Sequence, residues 1–406
     1  MADSEATELQ AQFSRPGGTI AGSLRYSGGR EDERHIPSEL ALPPVDRGVH
    51  AWAFLVGCFF IEALIWGLPF SYGLFQDFYT THEPFKSDPS GIAAIGTTAL
   101  LVFTQGALYA VGGTLAYGPA IVFVDEWFVR RKGLAFGVMW AGTGFAGITV
   151  PFLMSWMLER FNLKVTLLAW AVIVAIVSVP LLVVVRPRIP ISQSHRPRRL
   201  TFGFLYEKSV WFIQLGNILE GLGYFMPNIY LPSYARTLGV RNEAITATIA
   251  LLNGAAVFGC IFVGFLIDRF HVTTVILIST IGATFSIFIL WGLSSSIALL
   301  CIFSITYGFF AGGYSSTYAG IIRELRSDES DGGGEPGMVI GFLAAGRGIG
   351  SVICGPLSEA LVKRRPWVGK AGMGYGTEFG PLIVFAGISA LLGGLSFGAR
   401  LLRWIK

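Results

Sequence analysis

Charge is scarce in this chain. Asp, Glu, Lys and Arg together make up 14% of its 406 residues, where a soluble domain carries roughly a quarter, so a water-soluble fold would lack the polar groups to cover its surface. Cysteine is rarer still. Cys58, Cys260, Cys301 and Cys354 all lie inside apolar runs, with neither CxxC spacing nor the density of a disulfide framework, and they read as small packing residues. The histidines His35, His50, His82, His195 and His271 fall in tails, loops or the ends of apolar runs, so no metal cluster and no histidine-centred catalytic set is visible. No metal or cofactor is expected. The formal net charge of +4 is gathered into a few short loops, which argues against a nucleic-acid partner.

What the chain does have is apolar length. Residues of the hydrophobic class make up 52%, and there are 52 glycines. A bilayer span needs about 20 mostly apolar residues, because only a helix satisfies its own backbone polar groups inside hydrocarbon. Ten such segments are expected, at 49–75, 91–124, 133–157, 164–185, 209–234, 243–266, 272–293, 297–322, 337–361 and 380–401. The fold class is therefore all-α and integral to the membrane, with the lipid bilayer as its partner. Residues 1–48, rich in Ser, Gly, Arg and Glu and without the core of a secretory signal, are expected to form a disordered cytoplasmic tail. From there the count of spans puts Arg130, Arg131 and Lys132, the loop 186–208, the pair Asp268 and Arg269, and the loop 323–337 in the cytoplasm, as the positive-inside rule requires. Lys363, Arg364, Arg365 and Lys370 disagree, facing outward.

The basic stretch 186–208 separates four spans from six and is the expected linker between an N-terminal half, 49–185, and a C-terminal half, 209–406. A weak internal repeat supports the division: Glu62 stands seven residues before Pro69, and Glu220 seven before Pro227. A second echo pairs Ala141-Gly142-Thr143-Gly144 with Ala345-Gly346-Arg347-Gly348. Parallel repeats of this kind relate two helical halves about an axis along the membrane normal.

The most specific local pattern is Trp127-Phe128-Val129-Arg130-Arg131-Lys132-Gly133-Leu134-Ala135-Phe136-Gly137, continued by Gly142, Gly144 and Gly147. It resembles the fifth-helix motif of monocarboxylate transporters within the major facilitator superfamily. Physically, the basic residues hold the helix start at the interface, and the small residues let another helix approach closely. Asp46-Arg47-Gly48-Val49-His50-Ala51-Trp52 looks like the same family's entry to helix one, with Arg47 where a glycine is usual. Gly264-Phe265-Leu266-Ile267-Asp268-Arg269-Phe270 resembles the superfamily's short loop motif, whose Asp and Arg can form a gate-like salt bridge or a plain interfacial ion pair. The likeness covers about 46–401 and is nearest the fungal monocarboxylate-transporter-like branch. It implies a two-half helical bundle.

That family has twelve helices, and ten are found here. The run 91–124 is 34 residues, too long for one simple span and too short for two with a loop. Its start resembles family helix two and its end helix four, so helix three and its flanks are expected to be missing, and the run is expected to form one long helix, tilted or broken near Gly112 and Gly113 or Gly118 and Pro119. Losing two crossings preserves the sidedness of everything downstream.

Charges inside spans need a reason, because an Arg or Asp at the bilayer centre costs about 2.5–3.5 kcal/mol on insertion scales. Arg347, between Gly346 and Gly348, either binds an anionic substrate or forms a structural ion pair with Glu62 or Glu220. Those glutamates sit on the first helix of each half. Each either carries a coupling proton or holds helices in register. Tyr224 and Tyr314, with Trp66, Tyr72, Tyr230 and Tyr307, are candidates for lining a cavity, or are packing residues. The family's substrate lysine and its Asp and Arg pair have no counterparts, so monocarboxylate is a family label only. The resemblance implies a secondary active transporter of a small organic solute, such as a proton-coupled monocarboxylate or related organic anion, in the plasma membrane. Metabolite efflux and a transport-inactive short isoform or scaffold are the alternatives. No convergence of nucleophiles or carboxylates suggests an enzyme.

Overall fold

The computed structural model describes residues 42–81, 106–189, 202–327 and 336–404, which belong to one compact unit. All the long elements are helices. The first four are α1 (Val49–Thr81), α2 (Tyr109–Trp127), α3 (Lys132–Arg160) and α4 (Leu163–Val184). After a short 3₁₀ turn come α5 (Lys208–Thr237), α6 (Asn242–Ile267), α7 (Val272–Phe285), α8 (Ile297–Gly312), α9 (Tyr318–Ser327), α10 (Pro336–Arg364), α11 (Gly380–Leu392) and α12 (Leu395–Leu401). A π turn, Ser286–Trp291, extends α7, and a 3₁₀ turn, Gly313–Thr317, joins α8 to α9.

Among the described residues, nine helical stretches are long and apolar enough to cross a bilayer. The tenth traverse is α5, 30 residues long, whose apolar character is diluted by Gln214, Asn217 and Glu220. Prolines lie inside α1, α2, α3, α4, α5 and α10. Such interruptions are tolerated in membrane helices because neighbours satisfy the freed carbonyls. Side chains start several helices cleanly: Asn162 accepts from the Val165 N–H at 2.9 Å, and Ser296 from that of Leu299 at 3.4 Å. The exposed Leu168, Val172, Ile176, Val179 and Leu182 of α4 form a lipid-facing surface.

The traverses alternate in direction, so the starts of α1, α3, α5, α7 and α10 share one end with the finishes of α2, α4, α6 and α9. At that end a single core joins the two halves: Phe54, Leu55, Phe128 and Phe136 pack together with Ile213, Val263, Ile322 and Leu343. Elsewhere each half has its own core, around Phe75, Met154 and Trp170 in the first and Tyr234, Trp291, Phe303 and Leu382 in the second. The bundle is thus two halves, sealed together at the end carrying the basic loops.

In the run 91–124, helical structure is described from Gly106, through a π turn that leads into α2 and on to Trp127; residues 91–105 lie outside the described residues. Pro119 is inside α2.

Candidate functional site

The sealed end is built around the start of α3. Asp46, with a left-handed φ of 58°, points its carboxylate at the chain before that helix and accepts from the N–H groups of Val129, Arg130 and Arg131 at 3.0–3.1 Å. Asp268, at the end of α6 in the other half, accepts from Gly133 N–H at 2.7 Å and Leu134 N–H at 2.9 Å. Orphan donors at a helix N-terminus favour a carboxylate in this position. Burial raises the Asp268 carboxyl above its ordinary range, and the two N–H groups and Arg323 pull it back. Lys132 pairs with Asp125, while Arg130 and Arg131 are exposed.

Close approach of α3 and α6 depends on glycine. A Cβ at Gly133 would lie 2.4 Å from the Gly264 carbonyl oxygen, and one at Gly137 2.4 Å from that of Cys260. Gly144 and Gly147 continue the seam against Asn253, and Gly142 faces α1 at Phe59 and Glu62. One expectation is corrected here. Asp268 and Arg269 do not form a salt bridge: Asp268 spends its oxygens on α3, and the Arg269 guanidinium lies over the Phe265 ring, 4.2 Å from its centroid. Backbone donors at a helix start lie closer to the carboxylate than a side chain that can find an aromatic face.

Deeper in the bundle, Glu62, Glu220 and Arg347 lie about 16–20 Å along α1, α5 and α10 from the sealed end. Of the two carboxylates, it is Glu220 that meets Arg347. Nη1 and Oε2 are 2.6 Å apart in an ion contact without donor alignment, and Nη2 donates to Oε1 at 3.4 Å. The guanidinium is 4.3 Å from the Tyr224 ring centroid and 5.4 Å from that of Tyr314, each a cation–π contact worth about 0.5–2 kcal/mol. Around the pair, Tyr318 donates to Asn217 Oδ1 at 2.8 Å, and Asn217 and Gln214 donate to the carbonyls of Leu343 and Phe342 at 2.7 and 2.8 Å. Gln214, Asn217 and Glu220 recur every three residues along one helix face. That spacing is the signal that would have found this network in the sequence.

Glu62 is equally buried but differently placed. Its Oε2 has no hydrogen-bond partner, and no cation among the described residues pairs with it. Its neighbours are Trp66, Tyr117 and Cys58. Tyr117, in turn, accepts from Trp140, which meets Tyr318 edge to face at 5.7 Å.

A small cavity opens beside Glu220 between α5, α7, α8 and α11, lined by Glu220, Tyr224, Ser279, Thr280, Tyr307 and Tyr314 among others. Glu62 and Arg347 do not line it. Tyr307 donates to the Tyr224 carbonyl at 3.0 Å. Trp66 lies against Phe70 but is exposed, and Tyr230 packs against Phe379; the Tyr72 side chain lies outside the described residues. No group of three or more metal-ligating side chains occurs among the described residues.

The amino-acid sequence that builds this bundle matches the family model of the Major Facilitator Superfamily, over residues 50–325 and again over 213–405. The chain belongs to the Major Facilitator Superfamily. It is 25% identical over 374 residues to the MFS-type transporter pynF of Aspergillus niger, covering 81% of this chain and 86% of that protein. It is 24% identical over 439 residues to the aspyridones efflux protein apdF of Emericella nidulans, covering 94% and 84%. The Escherichia coli fucose:proton symporter FucP has a similar fold, with a TM-score of 0.51 at 14% identity over 84% of this chain and 83% of that one. The protein is thus an integral, multi-pass membrane transport protein of this superfamily, and not an enzyme.

Proposed function

We propose that the protein is a secondary active transporter that moves a small organic anion together with a proton, and that Arg347 and Glu220 are the pair at which the two are exchanged. The observation that carries this reading is the buried ion pair. Arg347 is held by an internal carboxylate, and a solute carboxylate can take that place only once Glu220 is neutralised. A proton on Glu220 does so. Anion and proton then load together with no change in net charge, while Tyr224 and Tyr314 keep the guanidinium oriented. Glu62, which has no cation beside it among the described residues, is either a second proton carrier or a register-holding group.

On this reading the basic loops are cytoplasmic and the host membrane is the plasma membrane. The seal between the halves then closes the cytoplasmic side. Relatives named as efflux proteins favour a second reading, in which the same pair exports an organic acid metabolite. On this reading, too, the N-terminal half lacks two of the crossings of the resembled family, the run 91–124 being too short for two spans of about 20 residues with a loop. A transport-inactive short form follows if that half cannot rock.

The test is uptake of labelled organic acids into liposomes holding the chain, with and without an imposed proton gradient, beside a version with two spans inserted between Thr81 and Gly106. Arg347→Lys is expected to impair exchange and accumulation, since an ammonium cannot reproduce the planar fork. Glu220→Gln should keep exchange and lose gradient-driven accumulation, and Glu62→Gln reports whether Glu62 shares that role. Unchanged accumulation in all three reduces these residues to structure. Flux only after the insertion makes the chain an inactive form.

A further inference from the structure

The cavity beside Glu220 contains a mismatch. One buried oxygen that belongs to it, Ser279 Oγ, has no hydrogen-bond partner, and a second, Glu220 Oε2, is in ion contact with Arg347 Nη1 at 2.6 Å without an aligned hydrogen bond. A buried polar atom left unpaired is destabilising, and the Ser279 hydroxyl, on the same lining as Glu220, is such an atom. The free space is about that of a single water molecule. A water in that space would have the Glu220 carboxylate and the Ser279 hydroxyl as partners on the lining, and the Thr280 hydroxyl, which donates to the Leu277 carbonyl at 3.0 Å, keeps its lone pairs as further acceptors. A monovalent cation fits less well, because Arg347 Nη1 lies 2.6 Å from the same Oε2 and like charges that close repel.

We propose that this cavity holds one ordered water between Glu220 and Ser279, and that it is the path by which Glu220 gains and loses its proton. The role assigned to the water rests on the proton-coupling reading above; its presence does not. Arg347 covers one side of the carboxylate. The other charged or titratable groups within electrostatic reach of Glu220 are Tyr224 on its own helix, Tyr307 and Tyr314 around α8, and Tyr318 at the start of α9. α7 contributes the non-titrating Ser279 and Thr280, and α11 only Ala390 to the lining. Proton transfer through the cavity balances simply: a proton arrives on the water, the water passes one to Oε2, and the Arg347 contact is released for a solute anion. Ser279 is a positioning residue in this scheme.

Two perturbations remove the water by different means. Ser279→Ala deletes the hydroxyl, and Ala283→Val, one turn along α7 on the same lining, fills the space while leaving every polar group in place. Each is expected to slow gradient-driven accumulation about tenfold relative to solute exchange in the same liposomes. Adding Ala283→Ser to Ser279→Ala should restore part of the loss by returning a hydroxyl to the cavity. A density map of the full chain in lipid, at a resolution that shows ordered water, should contain one peak between Glu220 and Ser279. An empty cavity, or accumulation unchanged in both variants while Glu220→Gln abolishes it, overturns the proposal and leaves the coupling reading standing. Accumulation unchanged in Glu220→Gln removes the coupling reading, and with it the role of the water as a proton path. A peak whose presence depends on sodium rather than potassium in the buffer overturns the assignment to water.

Discussion

Removing one member of the Arg347 and Glu220 pair should cost far more than removing both. Arg347→Met leaves the Glu220 carboxylate buried without its cation, and breaking a buried pair from one side costs about 3–5 kcal/mol. Glu220→Gln strands the guanidinium instead, but the Tyr224 and Tyr314 faces at 4.3 and 5.4 Å remain. At about 0.5–2 kcal/mol per ring, they offset part of that loss, so this variant should fall between Arg347→Met and the parent. The double variant removes both charges and their desolvation cost together, and similar replacements are neutral or stabilising by about 1–4 kcal/mol. The assay is the apparent Tm of the four proteins in lipid nanodiscs at one scan rate, read as an order because membrane-protein unfolding is commonly irreversible. The order expected is Arg347→Met lowest, Glu220→Gln intermediate and the double variant close to the parent. A double variant as unstable as the sum of the single changes would refute the reasoning, because it would mean that the two residues are held by other partners.

Asp268→Ala removes the acceptor of the Gly133 and Leu134 N–H groups and should weaken the seal between the halves by about 1–3 kcal/mol, seen as faster labelling of a cysteine placed on the α3 and α6 seam; unchanged labelling would assign the seal to packing alone. Gly137→Leu puts a side chain where even a Cβ lies 2.4 Å from the Cys260 carbonyl oxygen, and should separate α3 from α6 so far that a cross-link engineered across the seam no longer forms. Protease added outside intact cells should leave the loop 186–208 uncut, and cleavage there would contradict the assigned sidedness.

The helices were legible because hydrocarbon imposes length and continuity, and among the described residues nine helical stretches are long and apolar enough to cross a bilayer. The seam was legible in part: Gly133, Gly137, Gly144 and Gly147 announce a close approach, but nothing local says that the approaching helix is α6 of the other half, because that depends on chain topology. Asp268 was visible as an acidic residue of a loop motif, yet its partners are backbone groups more than a hundred residues earlier, and backbone donors carry no sequence signature. Arg347 was conspicuous as a charge in an apolar run. The choice between Glu62 and Glu220 was not open to inspection, since both stand at the same repeat position and both are buried. Ser279 gave no signal at all, being one small polar residue in an apolar helix, and only its lack of a partner in a cavity marks it.

The repeat itself explains why the two glutamates differ. Gly142 seats α3 on α1, where its Cβ would lie 3.0 Å from Glu62 Cβ, and Gly346 seats α10 on α5, beside Gln214. In the matched strings Ala141-Gly142-Thr143-Gly144 and Ala345-Gly346-Arg347-Gly348, the residue after the seating glycine is Thr143 in one half and Arg347 in the other. Thr143 turns its hydroxyl back to the Trp140 carbonyl at 2.7 Å, so it supplies Glu62 with no counterpart of the cation that Arg347 gives Glu220. If the halves are equivalent down to this residue, Thr143→Arg should bring a guanidinium to Glu62, and its tolerance should depend on that carboxylate. The expected outcome is that Thr143→Arg lowers the apparent Tm little on its own, but severely when combined with Glu62→Gln, by an amount corresponding to an unpaired buried charge of about 3–5 kcal/mol. An equal loss with and without Glu62 would show that the equivalence stops at the backbone, and that the first half never had room for the pair that the second half keeps.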